Sequence, residues 1–457
     1  MSSSSSSSSA SSNRVKNVTR SEIPFAEASW INGLPTPYFG TKPIYAQLRE
    51  WARKWADQHL IPYADKWEEA KEAPASFYQQ AAKDGLLIPF ALGIRLPANL
   101  RNLAKDVPIP AGIPAEEWDA FCDYILIDEL CRAGSNGLFM HLYAGISYGC
   151  GPINHFASPG LQTRIMPDIL RGKKRIALAI TEPNAGSDVA NLSCSAVKSA
   201  DGKYYIVNGI KKWITNGYFC EGGYLTTAVR TSGKAGDPSG ISLLVIPVSK
   251  DNGVSLKLMR MMGQSPSGTT LVEFDDTKVP VENLIGGKEG LGLKHIFNNF
   301  NHERITIVFT ALRFARVCIE DAIVHTKRRK AFGKPLIEQP VVRHKLAHMA
   351  RRVEALQAWT EQVVYQQNNL STAESNLLTG GTTGALKAHA GIVLEQVCRD
   401  ASQLLGGMGI TKGGAGERVE RIWREVKALQ VPGGAEDVLL DLSVRQALKI
   451  HSQPSKL

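Results

Sequence analysis

The sequence has no long apolar run, no Cys-x-x-Cys pair and no glycine-rich dinucleotide motif. No stretch reaches the roughly 18 to 20 apolar residues that a transmembrane helix needs, which predicts a protein without a membrane span. The cysteines are odd in number and scattered, which indicates reduced thiols rather than a disulfide framework. No strand–GxGxxG–helix element is present, so we do not expect a nicotinamide dinucleotide fold.

Metal-binding and nucleic-acid motifs are missing as well. His344 and His348 have the i, i+4 spacing of metal ligands on a helix, but no Glu completes an H-E-x-x-H pattern, so we expect no metal site. The net charge of +10 favours anionic partners. However, the basic residues form short clusters in helical stretches, and no basic–aromatic alternation marks a nucleic-acid groove. Nucleic acid is therefore not the expected partner.

Both ends of the sequence are informative. Residues 2–9 are all serine and no acidic residue precedes Glu22, a composition typical of a disordered tail or of a transit peptide. The last three residues are Ser455-Lys456-Leu457, the tripeptide that the peroxisomal import receptor reads. We therefore expect import into the peroxisome, with a mitochondrial location as the alternative.

Hydrophobic periodicity changes twice along the chain. From about residue 44, apolar residues recur at three- and four-residue spacing. From about residue 176 the period is two, in runs bounded by Gly and Pro, and from about residue 293 the helical spacing returns. This order predicts an α+β protein with separate layers. The predicted parts are a disordered extension (1–40), an N-terminal α-helical domain (41–175), a middle β domain (176–292), a C-terminal four-helix-type domain (293–450) and a free tail (451–457).

Two glycine-containing passages give local predictions. Residues 193–208 are expected to form a hairpin around Asp201-Gly202, because this dipeptide supplies the positive φ angles of a type I′ turn. Gly380 and Gly381 are expected to interrupt the C-terminal helices. Both predictions depend on the wide range of backbone angles that glycine can adopt.

The strongest chemical signal is a pair of loops in the β region. Residues 181–188 (TEPNAGSD) are a polar loop after an apolar strand, and its small residues let backbone N–H groups approach a ring or an anion. Residues 212–217 (KWITNG) place an aromatic ring beside a hydroxyl group at a strand end. Together the loops resemble the flavin-binding signature of the acyl-CoA dehydrogenases, and the resemblance extends from about residue 40 to 450. It implies bound FAD and that family's fold, with an N-terminal helical domain, a middle β domain and a C-terminal helical bundle.

The resemblance assigns residues to the flavin ring. One group follows the first strand of the β region, and the other group covers the opposite edge of the ring. The residues implied are Leu178, Ile180, Thr181, Gly186, Ser187, Trp213, Ile214 and Thr215. Ser187 is also implied to lie near the substrate.

Further matches lie in the C-terminal half. Residues 329–334 (RKAFGK) are similar to the family segment in which an Arg meets the FAD pyrophosphate and a Phe meets the adenine. An Arg suits this role because its planar fork pairs bidentately with phosphate oxygens. The residues implied at this end of FAD are Arg329, Phe332, Gln339, Gln403, Gly406 and Gly407. In the family they reach the FAD of a neighbouring subunit, which implies a homodimer or a homotetramer.

The catalytic base is where the sequence departs from most of the family. Many members carry a Glu in a Tyr-Glu-Gly-Thr segment, and here Gly433 stands at that position. Isovaleryl-CoA and long-chain members place the base on an earlier helix, and the matching segment, residues 300–304 (FNHER), has Glu303 there. The resemblance assigns Glu303 as the base, with Glu436 as a rival, and the backbone N–H of Gly433 as a donor to the thioester carbonyl.

The implied reaction is the α,β-dehydrogenation of an acyl-CoA to a trans-2-enoyl-CoA. Glu303, in a dry pocket that raises its pKa toward neutrality, is expected to take the α proton while the β hydrogen leaves as hydride to flavin N5. Asn301 and Arg304 match positions that contact CoA and orient the base helix. The electron acceptor stays open between oxygen and electron-transferring flavoprotein. An oxygen-using acyl-CoA or nitroalkane-type flavin oxidase and an inactive FAD or acyl-CoA binding protein are the alternatives.

Overall fold

The computed structural model describes residues 22–31, 34–39 and 42–452. Helices come first, a seven-stranded sheet follows, and helices return up to the end of the described chain. The α+β class and this order of layers are therefore confirmed. The serine run at 2–9 and the tripeptide Ser455-Lys456-Leu457 lie outside the described residues.

The N-terminal layer consists of helices that bury one apolar side. In the first of them Tyr45, Leu48, Ala52 and Trp55 are buried, which is the three- and four-residue spacing of an amphipathic helix. The helices of this layer are α1 Pro43–His59, α2 Ala64–Ala70, α3 Ala75–Lys83, α4 Leu87–Leu92, α5 Ala98–Arg101, α6 Ala120–Leu130, α7 Asn136–Phe156 and α8 Pro159–Leu170.

Part of the predicted N-terminal extension is folded against the helices. Glu27 forms an ion pair with Arg313 of the C-terminal layer at 2.9 Å. The rings of Trp30 and Phe39 stack with their centroids 4.1 Å apart. The assignment of all of residues 1–40 to disorder is therefore wrong for their described part, because a carboxylate and two aromatic rings there find partners in the folded chain.

The middle layer is a single sheet with the strand order β1-β4-β2-β3-β7-β6, and β5 pairs with β4. Its strands are β1 Ile176–Ala179, β2 Ser195–Lys198, β3 Tyr204–Ile214, β4 Tyr224–Arg230, β5 Ile241–Pro247, β6 Val254–Leu258 and β7 Thr270–Pro280. Along β3 the buried residues include Tyr205 and Val207, and their neighbours are more exposed. This alternation is the period of two expected for a strand with one buried face.

The predicted hairpin is present, but its turn differs from the prediction. β2 and β3 pair antiparallel, and the loop between them covers residues 199–203. Within that loop Gly202 has a positive φ of 70°, and Asp201 does not. The Asp201 carboxylate instead accepts hydrogen bonds from the Ser199 hydroxyl and from the Lys203 N–H. A type I′ turn needs positive φ at both central residues, so that prediction is wrong.

The C-terminal layer is dominated by long helices. Its elements are α9 Gly292–Arg328, the short strands β8 Lys330–Ala331 and β9 Lys334–Pro335, α10 Pro340–Asn369, α11 Thr372–Leu378, α12 Gly380–Leu405, α13 Glu417–Gln430 and α14 Glu436–His451. Helix α9 has 37 residues and packs along α12. Among the described helices, none combines the length and the apolar character needed to cross a membrane.

The predicted helix break at Gly380-Gly381 is confirmed to within one residue, because α11 ends at Leu378 and the two glycines form the first turn of α12. The break lies just before them, at Thr379. A side chain at Gly380 would come within 3.0 Å of Gln446 Oε1 and 3.2 Å of Asn301 Nδ2. The absence of a side chain at Gly380 therefore permits close packing of α12 against α9 and α14.

Candidate functional site

The two predicted flavin loops lie side by side at the ends of β1 and β3. The backbone N–H of Lys212 donates to the carbonyl oxygen of Thr181 at 2.9 Å. The pairing of β3 with β7 shifts register between Lys211 and Ile214, and in this bulge Trp213 has a φ of 60°. Positive φ is an outlier for a bulky side chain. The bulge leaves the Trp213 ring 44% exposed beside the neighbouring loop.

A buried ion pair holds the two loops together. Lys211 Nζ lies 2.8 Å from Glu182 Oε1 and donates to the carbonyl oxygen of Ile180 at 2.9 Å. Glu182 also accepts hydrogen bonds from the backbone N–H groups of Ser193 and Cys194. Burial alone would raise the pKa of Glu182, but Lys211 and the backbone donors hold it below its usual value. The Glu182 carboxylate therefore stays ionised, and its bonds connect both loops to β3.

The residues of these loops fit the isoalloxazine ring of FAD. A planar ring needs an open surface with backbone groups near it, and Gly186, Ser187 and Trp213 are exposed. A Cβ added at Gly186 would meet nothing within 4 Å. Of the other predicted residues, Ile180 and Ile214 are buried, and Leu178, Thr181 and Thr215 are half-buried.

The segments predicted to reach the adenosine end of FAD are exposed on this chain. Phe332 is 94% exposed and has a φ of 52° between the short strands β8 and β9. Arg329, Gln403, Gly406 and Gly407 are exposed as well. The Gln339 amide nitrogen is buried and has no hydrogen-bond partner among the described residues. Within the described chain, no hydrogen bond or ion pair joins these residues to the flavin loops, so the two predicted sets are not brought together by such a contact.

The predicted base, Glu303, is buried on α9. Its exposed fraction is 7%, and Asn299, one turn earlier, donates a hydrogen bond from Nδ2 to Glu303 Oε1 at 3.1 Å. Burial raises the pKa of Glu303 to about 7, although Arg304 and Asn299 both act to lower it. A carboxyl group with a pKa near 7 can both take and release a proton at neutral pH.

Arg304 connects the base helix to the loop of Gly433. Its Nε donates to the Gly433 carbonyl oxygen at 3.0 Å, and its Nη1 is 3.4 Å from Asn301 Oδ1. Gly433 has a φ of 70°, and a Cβ there would come within 3.0 Å of Ile307 Cδ1. Within the described residues no hydrogen bond uses the Gly433 N–H. The structure thus brings the two predicted catalytic positions to the same place.

Lys387 is a residue at this site that sequence reasoning missed. It is 1% exposed on α12, and its Nζ donates to the carbonyl oxygens of Gln430 and Gly434, on either side of Gly433. Burial, with Arg304 nearby, lowers its pKa to about 7, and Glu436 opposes that shift. Glu436 itself begins α14 and is half-buried. No motif contains Lys387, so its one sequence signal is a lone Lys within an apolar helical pattern.

His302, which precedes Glu303 on α9, contacts two hydroxyl groups of α7. Its Nε2 lies 3.1 Å from the Tyr143 hydroxyl and 3.2 Å from the Ser147 hydroxyl. Burial, helped by His155, lowers the pKa of His302 to about 4, so the ring is neutral. His302 also lines a cavity of about 260 Å³ between α7 and α9, which neither Glu303 nor any predicted flavin residue lines.

The two histidines with metal-ligand spacing are adjacent in space. The Nε2 atoms of His344 and His348 are 3.3 Å apart on α10. In the part of the chain that the structure describes, no group of three or more His, Cys, Asp or Glu residues is arranged to hold a metal ion.

Comparisons with known proteins agree along the chain. Residues 44–93, 177–277 and 290–448 match the profiles of the acyl-CoA dehydrogenase N-terminal, middle and C-terminal domains. The acyl-CoA dehydrogenase apdG of Emericella nidulans is 44% identical over 438 residues, covering 95% of this chain and 98% of that protein. An acyl-CoA dehydrogenase of Alternaria alternata is 35% identical and covers 94% and 96%. A crystal structure of a probable acyl-CoA dehydrogenase from Mycobacterium abscessus superposes with a TM-score of 0.77 at 29% identity, covering 89% and 99%.

Proposed function

Because this chain belongs to the acyl-CoA dehydrogenase family of FAD-dependent oxidoreductases, we propose that it converts an acyl-CoA thioester to a trans-2-enoyl-CoA with Glu303 as the base. The observation that carries this proposal is the environment of Glu303. Its carboxylate is buried on α9 beside Arg304, and Arg304 is bonded to the loop of Gly433. An α-proton abstraction requires a buried base near a donor to the thioester carbonyl, and the Arg304 bond connects the base helix to the loop that carries the Gly433 N–H.

Glu303 takes the α proton of the thioester. This proton is only weakly acidic, so the base works best with a pKa near the operating pH. A pKa of about 7 leaves roughly half of the Glu303 side chains ionised at neutral pH. Because Oε1 accepts the hydrogen bond from Asn299, we assign the proton transfer to Oε2, which no hydrogen bond of the described residues uses.

The Gly433 N–H polarises the thioester carbonyl. Charge develops on that oxygen as the α proton leaves, and a fixed backbone donor stabilises it in the manner of an oxyanion hole. The Arg304–Gly433 and Lys387–Gly434 hydrogen bonds hold the loop in one position. Glu436 is a weaker candidate for the base because it is only half-buried.

FAD, when bound, supplies the acceptor for the β hydrogen. Thr181, Trp213 and Ile214 would hold its ring system, and Ser187 would lie between the ring and the substrate. Asn301 and Arg304 are buried and hydrogen-bonded to each other, and they also bond to Asn376 of α11 and to the Gly433 carbonyl oxygen, respectively, which supports a role in orienting the base helix.

The test is anaerobic flavin bleaching. The purified, FAD-loaded protein is mixed with acyl-CoAs of graded chain length and branching while flavin absorbance is followed. Bleaching with formation of the 2-enoyl-CoA supports the proposal, and the fastest substrate identifies the acyl group. No bleaching with any acyl-CoA contradicts it and favours a binding protein or, if a nitroalkane bleaches the flavin, a carbon-acid oxidase. Readmitting oxygen and measuring peroxide distinguishes an oxidase from a dehydrogenase that needs a protein acceptor.

The exposure of the adenosine-end residues supports an oligomer. We propose a homodimer or homotetramer in which Arg329, Phe332 and Gln403 contact the FAD of a neighbouring subunit. Light scattering of the FAD-loaded protein gives the subunit number. Phe332→Ala is expected to lower FAD retention, and a monomer that retains FAD fully would contradict the proposal.

We also propose that Ser455-Lys456-Leu457 directs the protein to peroxisomes through the import receptor. A fluorescent fusion that retains this C-terminus should colocalise with a peroxisomal marker, and removal of the three residues should abolish that pattern. Colocalisation with mitochondria would support the alternative address.

A further inference from the structure

Asn299 occupies a fixed position between the base and the neighbouring helix α7. It is 5% exposed, and its Nδ2 is 3.1 Å from Glu303 Oε1 and 3.3 Å from the carbonyl oxygen of Tyr148. Both acceptors are oxygens, so the amide nitrogen must face them. The opposite orientation would place the amide oxygen against a carboxylate and a carbonyl. The side chain therefore has one favourable orientation.

Gly151 of α7 fixes the other side of Asn299. A Cβ added at Gly151 would lie 1.9 Å from Asn299 Oδ1 and 2.7 Å from its Cγ. Such a distance is far below any contact between non-bonded atoms, so even an alanine at 151 would displace the amide. Gly151 has an ordinary helical conformation, so glycine is needed here for its small size and not for its backbone freedom.

We propose that Asn299, seated against Gly151, is a positioning residue for the base: it holds Glu303 Oε1 and so presents Oε2 to the substrate. The proposal rests on the proposed function of Glu303 as the base. A carboxylate with one oxygen held by a donor and the other unbonded has a defined direction for proton transfer, and orientation of this kind lowers the barrier of the chemical step. A donor to the carboxylate also favours its ionised form.

The other groups that act on Glu303 are few. Arg304, on the same helix, lowers the pKa of Glu303. The phenols of Tyr143 and Tyr148 lie on α7, and burial together with the Glu303 charge raises their pKa values. On α12, burial and then Arg304 lower the pKa of Lys387. Asn299 is the residue whose hydrogen bond touches the Glu303 carboxylate within the described chain, so its removal should alter the titration of Glu303 while these groups stay in place.

Titration of Glu303 can be read without any turnover. In pH-difference infrared spectra, the protonated carboxyl band that disappears in Glu303→Gln belongs to Glu303. Asn299→Ala should raise the midpoint of this band by about one pH unit, because the ionised form loses a donor. Gly151→Ala should raise it in the same direction, because it displaces the amide. The matched controls are Asn298→Ala, the adjacent asparagine on α9, and Gly160→Ala, where an added Cβ meets nothing within 4 Å.

The double variant makes the test sharper. Once Asn299 is alanine, a methyl group at 151 has nothing to displace, so Asn299→Ala/Gly151→Ala should shift the midpoint by no more than Asn299→Ala alone. Additive shifts would show that Gly151 acts independently of Asn299 and would contradict the claim that Gly151 acts by fixing the position of the Asn299 amide. Unchanged midpoints in both folded single variants would overturn the proposal as a whole. Circular dichroism and thermal melts establish that each variant is folded.

Bleaching kinetics then separate this proposal from the proposed function. With an acyl-CoA that bleaches the wild type, Asn299→Ala should lower the limiting rate at high pH about tenfold and leave the half-saturating concentration unchanged, since orientation is lost and binding is not. If none of the acyl-CoAs bleaches the flavin of the wild type, the proposed function fails. The infrared midpoints still decide whether Asn299 and Gly151 control the Glu303 carboxyl.

Discussion

Arg304 donates a hydrogen bond from Nε to the carbonyl oxygen of Gly433 at 3.0 Å, across 129 positions of sequence. One end of this bond is next to the proposed base, Glu303, and the other is the residue whose N–H is proposed to polarise the thioester. In most of the family, as the sequence resemblance implies, the base itself stands at the Gly433 position. In the proposed site the carboxylate comes from α9, and Arg304 connects it to the loop of Gly433.

Replacing Glu303 by Gln should lower the anaerobic bleaching rate at least about 100-fold, because an amide cannot take the α proton. FAD content should not change. Glu436→Gln is the matched control and should bleach at a rate close to that of the wild type, since this side chain is only half-buried at the start of α14. The reverse result, a fast Glu303→Gln and a slow Glu436→Gln, would transfer the role of base to Glu436.

The bleaching rate of the wild type should rise with pH and level off above neutrality. The pKa of Glu303 is about 7, and only the ionised carboxylate can take a proton. Stopped-flow measurements from pH 5.5 to 9 should therefore follow a single titration with a midpoint near 7. A rate that does not vary over this range is incompatible with Glu303 as the base.

The same pKa has a consequence for stability. In the folded protein Glu303 titrates at about 7 instead of 4.5, so its contribution to stability is complete below pH 4.5 and is lost as the pH rises through 7. At pH 8 the buried charge should cost up to about 3 kcal/mol relative to a neutral side chain. Urea unfolding of wild type and Glu303→Gln at pH 5 and pH 8 tests this. At pH 8 the free energy of unfolding of Glu303→Gln should rise relative to that of the wild type. If the difference in free energy of unfolding between the two proteins is the same at pH 5 and pH 8, the burial of the charge is contradicted.

Gly433→Ala should slow bleaching and destabilise the fold. An alanine at φ 70° costs about 1–2 kcal/mol, and its Cβ would also press on Ile307 at 3.0 Å. Gly414→Ala is a matched control because Gly414 has a φ of 74° and an added Cβ there meets nothing within 4 Å. Both variants should show similar backbone strain in thermal melts, and only Gly433→Ala should lose bleaching rate. Equal rates in the two variants would argue against a catalytic role for the Gly433 N–H.

Lys211→Met should destabilise the middle layer and release FAD. It leaves the Glu182 carboxylate buried without its cation, and breaking a buried pair in this way costs about 3–5 kcal/mol. Lys198→Met provides the control, because Lys198 is exposed and its partner Glu289 is only half-buried, and pairs near the surface contribute about 0–1 kcal/mol. Urea unfolding and FAD retention after gel filtration measure both effects. A Lys211→Met protein that retains FAD would show that the pair does not hold the flavin loops.

Much of the fold could be predicted because its signals are local. Helical spacing in α1, alternation in β3 and the change from one period to the other follow from which side of each element is buried. The glycine predictions located the helix break before α12 but missed the turn type at 201–202, because glycine has more than one use. Gly380 permits close helix packing, and at 201–202 the carboxylate of Asp201 favours a longer loop.

The sequence by itself determined the order of the layers, the flavin-loop signature and the two rival carboxylates, since each is written in a short segment and in its resemblance to a family. Only the tertiary structure decided how these segments act together. Burial by several helices brings the pKa of Glu303 to about 7. Asn299 of α9 packs against Gly151 of α7, and Arg304 and Lys387 bond to the loop of Gly433 from two different helices. Desolvation and hydrogen-bond geometry depend on what surrounds a side chain in space, and no spacing along the chain specifies that.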